Sequence, residues 1–160
     1  MFITVHIGIQ VLKLHVADGD IIEYPVSTGI KGVGQQFGSG QTPLGRHVVR
    51  AKIGAGLPEN TVFVARRPTG EIYSPKLVAE YHDRRDWILS RILWLSGMEY
   101  GLNRLGSVDT MRRYIYIHGI PDTFVMGEPL SHGCIRMHNR NIIDLFQRVP
   151  MGVLVDILMD

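Results

Sequence analysis

The single cysteine of this 160-residue chain, Cys134, lies in the segment SHGCIRM at residues 131–137. A thiol has a pKa of about 8.5 and becomes an effective nucleophile when a neighbouring base takes its proton or a cation lowers that pKa. The glycine before it lets the backbone approach another group closely. This segment therefore predicts a catalytic nucleophile, although a buried and inert cysteine is the common alternative.

A base for this thiol lies 16 positions upstream, at His118. The stretch Tyr114–His118 has the alternation of a strand, with Tyr116 and His118 on one face. Gly119 and a turn-rich loop then return the chain to Cys134, so the imidazole and the thiol can lie side by side. The imidazole can take the thiol proton and later protonate a leaving amine. Its orienting acceptor is expected to be a main-chain carbonyl, such as that of Gly119.

Residues close to the thiol are candidates for binding the substrate. A turn at Gly133-Cys134 can aim backbone N–H groups at a developing oxyanion. Arg136, two positions beyond the thiol, has three possible roles. It can bind a substrate carboxylate, lower the thiol pKa, or form an ion pair that holds the loop.

Two other kinds of site fit part of this pattern. A zinc ion would use His118, His132, Cys134 and His138, but the chain has no C-x-x-C pair. In a papain-like protease the cysteine precedes the histidine by a long interval, whereas here the histidine comes first. Both alternatives are therefore weaker than a thiol–imidazole pair.

The elements that position these residues are mostly short strands. Ile3, Val5 and Ile7 alternate with polar residues, and Asp18-Gly19 is typical of a hairpin turn. Strands are predicted over Met1–Gln10, Leu12–Val16, Ile21–Val26, Arg46–Lys52, Thr61–Ala65, Glu71–Tyr73, Tyr114–His118 and Val153–Ile157. The glycine-rich stretch Gly29–Gly45 predicts an extended loop.

Two helices are predicted among these strands. One runs from an Asp83 cap to about Leu95, and it carries Trp87 and Trp94 as core anchors. The second begins near Asn139 or Asn141 and ends before the Pro-Met-Gly turn at residues 150–152. The residues expected to be buried are Ile88, Ile92 and Leu95 on the first helix and Ile142, Phe146 and Val149 on the second.

Composition limits the class of protein. The chain is 45% hydrophobic and 20% charged with a formal net charge of +2, which is typical of one globular domain over residues 1–160. That charge is too small to favour nucleic acid or an anionic membrane as a partner. We find neither a membrane-spanning run nor a signal peptide in the sequence.

With these motifs in order, the sequence resembles the catalytic domain of the L,D-transpeptidases, the YkuD-type family. The resemblance rests on His118-Gly119 followed by Ser131-His132-Gly133-Cys134-Ile135-Arg136. Supporting motifs are PVSTG at Pro25–Gly29 and TPLG at Thr42–Gly45. It implies a mainly-β fold, a YkuD-like β-sandwich with about two helices, and chemistry on peptidoglycan stem peptides.

The resemblance also implies a role for each site residue. Cys134 would be the nucleophile, His118 the base and Gly119 the carbonyl that orients it. The remaining candidates would line the oxyanion and substrate site: Ser131, His132, Gly133, Arg136 and Tyr116. No metal or organic cofactor is expected. β-Lactams of the carbapenem type are expected to acylate the thiol.

The specific activity expected is that of an L,D-carboxypeptidase. It would remove the terminal D-alanine from tetrapeptides or muropeptides during cell-wall recycling. Because the first predicted strand begins at Met1, we expect a cytoplasmic location, or a periplasmic one if an export signal has been removed. The alternatives are a cross-linking L,D-transpeptidase and a non-catalytic module that binds muropeptides.

Overall fold

The computed structural model of the chain describes residues 1–81 and 86–160. Within them the chain forms ten β-strands and two α-helices. In chain order they are β1 Phe2–His6, β2 Val11–His15, β3 Ile21–Pro25, β4 Gly45–Ile53, β5 Thr61–Val64, β6 Arg67–Ile72, α1 Pro75–Tyr81, β7 Ile88–Gly97, β8 Tyr116–Ile120, β9 Ile135–His138, α2 Asn139–Arg148 and β10 Leu154–Leu158.

The described strands belong to one ten-stranded sheet. Its main path runs β3-β2-β1-β10-β4-β7-β5-β6, and β8 branches from β7 and pairs with β9. Two pairs are parallel, β1 with β10 and β8 with β9, and the other pairs are antiparallel. The mainly-β prediction with two helices is therefore confirmed, and the expected sandwich is built from a single curled sheet.

The first hairpins follow the alternation seen in the sequence. Ile3 and Val5 are fully buried while Phe2 is exposed, as the alternation predicts, although Thr4 between them is also buried. Asp18 and Gly19 both have positive φ, which matches the predicted hairpin turn. The predicted strand over Met1–Gln10 is too long, because residues 7–10 form a turn that separates β1 from β2.

One large core joins the sheet to α2. It contains fully buried side chains from β1, β7, β8, β9 and α2, among them Ile3, Leu93, Ile117, Met137 and Ile142. Each such side chain contributes roughly 1.5–3 kcal/mol through burial. The helix face predicted from the sequence is confirmed: Ile142, Phe146 and Val149 are all buried. This packing fixes β8 and β9 against the rest of the molecule.

The predicted helix from Asp83 to Leu95 is wrong where the structure describes it. Residues Ile88–Gly97 form β7, an interior strand between β4, β5 and β8, and Asp83 lies outside the described residues. The spacing of Ile88, Ile92 and Leu95 fits a helix, but the segment ILSRILWLSG is buried along almost its whole length. A strand covered on both faces loses its alternation and cannot be distinguished from a buried helix by periodicity.

The tryptophans of this segment pack into the protein from a different element than expected. Trp87, just before β7, is buried, whereas Trp94 within β7 is only partly buried. The helix that does precede β7 is α1, which the sequence prediction missed. Its signal was Ser74-Pro75: the Ser74 hydroxyl accepts a hydrogen bond from the Leu77 amide at 3.2 Å. Neither α1 nor α2 is long and apolar enough to cross a membrane, and no other helix in the described ranges is.

Candidate active site

The parallel pairing of β8 with β9 brings the candidate base to the candidate nucleophile. His118 is in register with Arg136, so Cys134, just before β9, lies level with Tyr116. The Tyr116 main-chain N–H donates to the Cys134 Sγ at 3.3 Å, and the thiol donates to the Tyr114 carbonyl at 3.4 Å. The first residue of β8 and the segment just before it thus hold the thiol in place.

Two cavities meet at this point. One of about 390 Å³ and one of about 190 Å³ share Asp86, Tyr114, His118 and Cys134. The larger is also lined by Ala65, Arg66, Ile88 and Tyr116, and the smaller by Arg113, Ile115, His132 and Arg136. The thiol and the imidazole therefore border both cavities.

The imidazole of His118 is oriented by the main chain. Its Nδ1 donates a hydrogen bond of 2.7 Å to the carbonyl of Gly119, the acceptor expected from the sequence. With the proton on Nδ1, Nε2 is left as the basic nitrogen. Burial lowers the pKa of His118, which outweighs the opposite effects of the Gly119 carbonyl and the Asp86 carboxylate. The ring is therefore neutral at neutral pH and able to accept a proton.

Gly119 has no room for a side chain. A Cβ there would collide with the Leu89 carbonyl oxygen and lie 2.8 Å from the Asn139 Oδ1. Asn139 is itself fully buried and held by the Ser90 hydroxyl and by the Ile120 carbonyl. The close approach of β7 to β8 thus fixes the carbonyl that orients the base.

The thiol of Cys134 is protonated in this environment. Burial raises its pKa to about 11, and the Asp86 carboxylate acts in the same direction. The Tyr116 amide, Arg136 and Arg113 each lower that pKa, but they do not compensate for burial. The resting site is therefore a neutral thiol beside a neutral imidazole, rather than a thiolate beside an imidazolium.

The turn before the thiol is held by Ser131 and by the glycine-rich loop. The Ser131 hydroxyl donates to the Cys134 carbonyl at 2.6 Å and accepts from the Gly133 amide at 3.1 Å. The Gly133 carbonyl accepts from the Thr42 hydroxyl at 2.9 Å, which in turn accepts from the Gly29 amide at 2.8 Å. The two supporting motifs of the sequence, PVSTG and TPLG, thus meet at this turn.

These hydrogen bonds indicate which of the residues expected to line the oxyanion site can still donate a main-chain N–H. Gly133 has φ of 122°, a conformation that favours glycine, and its N–H is already bonded to Ser131. Ser131 is fully buried, so its observed contacts are structural. The main-chain amides of His132 and Cys134 remain as the predicted oxyanion donors.

Arg136 forms the ion pair that the sequence left as one of three possibilities. Its guanidinium donates to the Asp86 carboxylate at 2.9 Å and to the Leu130 carbonyl at 3.2 Å. The exposed imidazole of His132 lies 3.6 Å from the same carboxylate. Arg136 also lowers the thiol pKa, as the second possibility required. Contact with a substrate carboxylate stays a prediction.

The four candidate zinc ligands do not come together. His138 pairs with Ile120 at the far end of β9, and its ring is hydrogen bonded to the Phe124 carbonyl at 2.8 Å. It borders a separate cavity beside Asp122. Within residues 1–81 and 86–160, no three His, Cys, Asp or Glu side chains are placed to hold a metal ion.

Comparison with known proteins agrees with this geometry. The family model of the L,D-transpeptidase catalytic domain, YkuD, matches residues 1–157. The chain belongs to the L,D-transpeptidase family. A probable L,D-transpeptidase of Escherichia coli K12, YbiS, is 31% identical over 110 residues, which cover 67% of this chain and 35% of YbiS. The chain therefore matches about a third of that relative's length.

Solved structures of L,D-transpeptidases share the fold. L,D-transpeptidase 3 from Mycobacterium tuberculosis, in complex with a faropenem-derived adduct, gives a TM-score of 0.54 at 15% identity, over 98% of this chain and 59% of that one. An L,D-transpeptidase in complex with imipenem gives a TM-score of 0.54 at 16% identity, over 98% and 58% of the two chains. At these identities the likeness establishes the fold of this L,D-transpeptidase family member and not its substrate.

Two charged residues of the cleft were missed from the sequence. Arg66 lies in the turn between β5 and β6, and Asp86 lies just before β7. Neither has a motif around it, and both are far from residues 118–136 in the chain. Because residues 83–95 were predicted to form a helix, the position of Asp86 beside the cleft could not be inferred.

The neutral resting state predicts how this single thiol reacts. Iodoacetamide should modify Cys134 slowly at neutral pH. The rate should continue to increase as the pH is raised well beyond 8.5, the approximate pKa of a free thiol. Asp86→Asn should increase the rate at a given pH, because removing the carboxylate lowers the thiol pKa. Intact-mass spectrometry over a pH series measures both rates.

The urea-unfolded protein is the matched control, since it exposes the same thiol to water. Its alkylation should follow the pH dependence of a free cysteine. A folded protein whose rate is half-maximal at or below pH 8.5 would contradict a raised thiol pKa.

Proposed function

We propose that this chain is a cysteine enzyme that cleaves the L,D bond before the terminal D-alanine of peptidoglycan tetrapeptides through a thioester. Membership of the L,D-transpeptidase family supplies the class of substrate. One observation carries the proposal: Cys134 shares its cavity with an imidazole whose Nδ1 is bonded to the Gly119 carbonyl. This arrangement prepares proton transfer between thiol and imidazole.

The first step follows from the two neutral groups. As the Cys134 Sγ attacks the carbonyl carbon of the scissile amide, its proton moves to the Nε2 of His118. The imidazolium then protonates the amine of the departing D-alanine, and the C–N bond breaks to leave a thioester on Cys134. Moving a proton within the pair avoids holding a full thiolate in a site that raises the thiol pKa to about 11.

The tetrahedral intermediate places negative charge on the former carbonyl oxygen. The main-chain amides of His132 and Cys134 are the donors proposed to bind that oxyanion, since Ser131 occupies the Gly133 amide. The turn is preorganised by Thr42 and Ser131, so these donors need no rearrangement when the charge develops. Preorganised donors of this kind stabilise a transition state by roughly 3–4 kcal/mol each.

Hydrolysis is the proposed second step. Water attacks the thioester carbonyl while the Nε2 of His118 takes its proton. The C–S bond then breaks, the imidazolium returns a proton to the Cys134 sulfur, and the trimmed tripeptide leaves with a new carboxylate. The residues that border the thiol support access of water: the side chains of Asp86 and His132 are 55% and 74% exposed. Because water is in large excess, an amine competes with it only where a pocket binds that amine and excludes water.

Transpeptidation is the second candidate, and one observation favours it. The thiol borders two cavities, of about 390 and 190 Å³. If the donor occupies one, the other offers space for an acceptor amine. A module that only binds muropeptides would use the cavities but would have no need of an oriented imidazole beside the thiol.

The nucleophile and base are tested by substitution. Cys134→Ala should abolish release of D-alanine from a tetrapeptide muropeptide. His118→Ala should reduce kcat/KM by several orders of magnitude, because the two groups act as one unit. Chromatography of the released D-alanine measures both losses.

His138→Ala is the matched control, since His138 lies at the other end of β9 and contacts the Phe124 carbonyl. It should retain activity close to that of the parent. Full activity of the Cys134→Ala protein would overturn the proposed mechanism.

A carbapenem should acylate the same thiol. The strained amide of a β-lactam resembles the scissile bond, and one family structure contains imipenem. Intact-mass spectrometry after incubation with imipenem should show a single adduct, which peptide mapping places on Cys134. The His118→Ala protein should form this adduct much more slowly. The absence of any adduct at saturating imipenem would contradict an accessible nucleophile.

The products distinguish the two candidate reactions. Incubation of the protein with a purified tetrapeptide monomer should give tripeptide and D-alanine, with or without an added acceptor peptide. A cross-linked dimer as the main product would show that the reaction is transpeptidation rather than hydrolysis.

The cytoplasmic location stays a prediction, and fractionation of cells that express the native gene tests it independently of the reaction.

A further inference from the structure

Arg66 reaches the cleft from a tight turn at the edge of the sheet. Val64 pairs with Arg67, so Ala65 and Arg66 alone connect β5 to β6. Ala65 has φ of 53°, a left-handed conformation that a two-residue hairpin turn requires. Both turn residues line the larger cavity together with Cys134.

The guanidinium of Arg66 is held by aromatic rings. It lies over the rings of Trp94 and Tyr114, 4.7 and 4.8 Å from their centroids. Its Nη1 donates to the Tyr116 hydroxyl at 2.9 Å. Contacts with ring faces leave the N–H groups at the edge of the guanidinium plane free to donate, and a guanidinium has five of them.

The other two arginines of the cleft each use more of their donors. Arg113 donates to the carbonyls of Gly34 and Gln41 and to the Ser39 hydroxyl. Arg136 donates to Asp86 and to the Leu130 carbonyl. Within the described residues, Arg66 makes one hydrogen bond, to an uncharged hydroxyl, so it keeps more donors than either and has no carboxylate partner.

We propose that Arg66 binds a carboxylate of the donor peptide in the larger cavity, an inference that rests on the proposed function. The planar fork of a guanidinium matches a carboxylate and can bind it through two parallel hydrogen bonds. Tyr116 links this site to the chemistry, because its amide contacts the Cys134 Sγ and its hydroxyl contacts Arg66. A carboxylate held by Arg66 would thus fix the scissile carbonyl relative to the thiol.

Binding without turnover tests this proposal. In the Cys134→Ala protein, Arg66→Gln should weaken the binding of a free tetrapeptide about 10- to 100-fold, as expected for a lost charge-assisted hydrogen bond. Converting each free carboxylate of the peptide to a carboxamide in turn identifies which one is recognised. The peptide that lacks the recognised carboxylate should bind the Cys134→Ala protein as weakly as the unmodified peptide binds the Arg66→Gln variant. For that peptide, Arg66→Gln should cause no further loss of affinity. Calorimetry measures each affinity.

Arg67→Gln is the matched control, because Arg67 is the next residue of the same hairpin and lies outside both cavities of the cleft. It should change affinity less than twofold. Arg66→Lys should restore only part of the binding, since an ammonium lacks the planar fork.

Three results would overturn the proposal. They are an affinity that Arg66→Gln leaves unchanged, a loss from Arg66→Gln that remains in full with every carboxamide peptide, or no binding of any tetrapeptide. The outcome is separable from that of the proposed function. Binding that depends on Arg66 without release of D-alanine by the parent protein would leave the inference intact and overturn the proposed hydrolysis. Turnover whose KM is unaffected by Arg66→Gln would do the reverse.

Discussion

The parallel pairing of β8 with β9 is the constraint on which the rest of the site depends. Parallel neighbours cannot be joined by a short hairpin, so the chain must leave β8 and return through a crossover loop. This loop allows His118 of β8 and Cys134, which lies 16 positions later and just before β9, to border the same cavity. Because β8 and β9 both contribute fully buried side chains to the main core, their register cannot slip without exposing those side chains.

The glycine-rich loop serves this arrangement from outside the sheet. The Gly29 amide donates to the Thr42 hydroxyl, which donates to the Gly133 carbonyl. The main chains of Ser27 and Arg136 bond to each other in both directions. A long segment without regular structure is therefore fastened at several points to the strand that carries the nucleophile. The connections use main-chain groups of the first motif and the Thr42 hydroxyl of the second.

Sequence reasoning predicted the structure correctly where the spacing of apolar residues or turn residues reflects a single local element. The alternation of β1, the apolar face of α2 and the loop after His118 all led to residues that the structure places as expected. It failed at β7, since a strand buried on both faces has no alternation to detect. Arg66 and Asp86 could not be found because their place in the cleft results from tertiary packing of that strand and its neighbours. The raised thiol pKa likewise depends on burial, which no local motif encodes.

The use of a main-chain carbonyl to orient His118 has a consequence for the acidity of the ring. A carboxylate in that position would place a full negative charge against Nδ1 and stabilise the imidazolium, whereas the Gly119 carbonyl offers only a dipole. The protonated ring is accordingly a stronger acid. Such an acid suits the departure of an amine, a leaving group that must gain a proton before its bond to carbon can break. It also keeps the orientation of the ring independent of pH, because a peptide carbonyl has no proton to gain or lose in the physiological range.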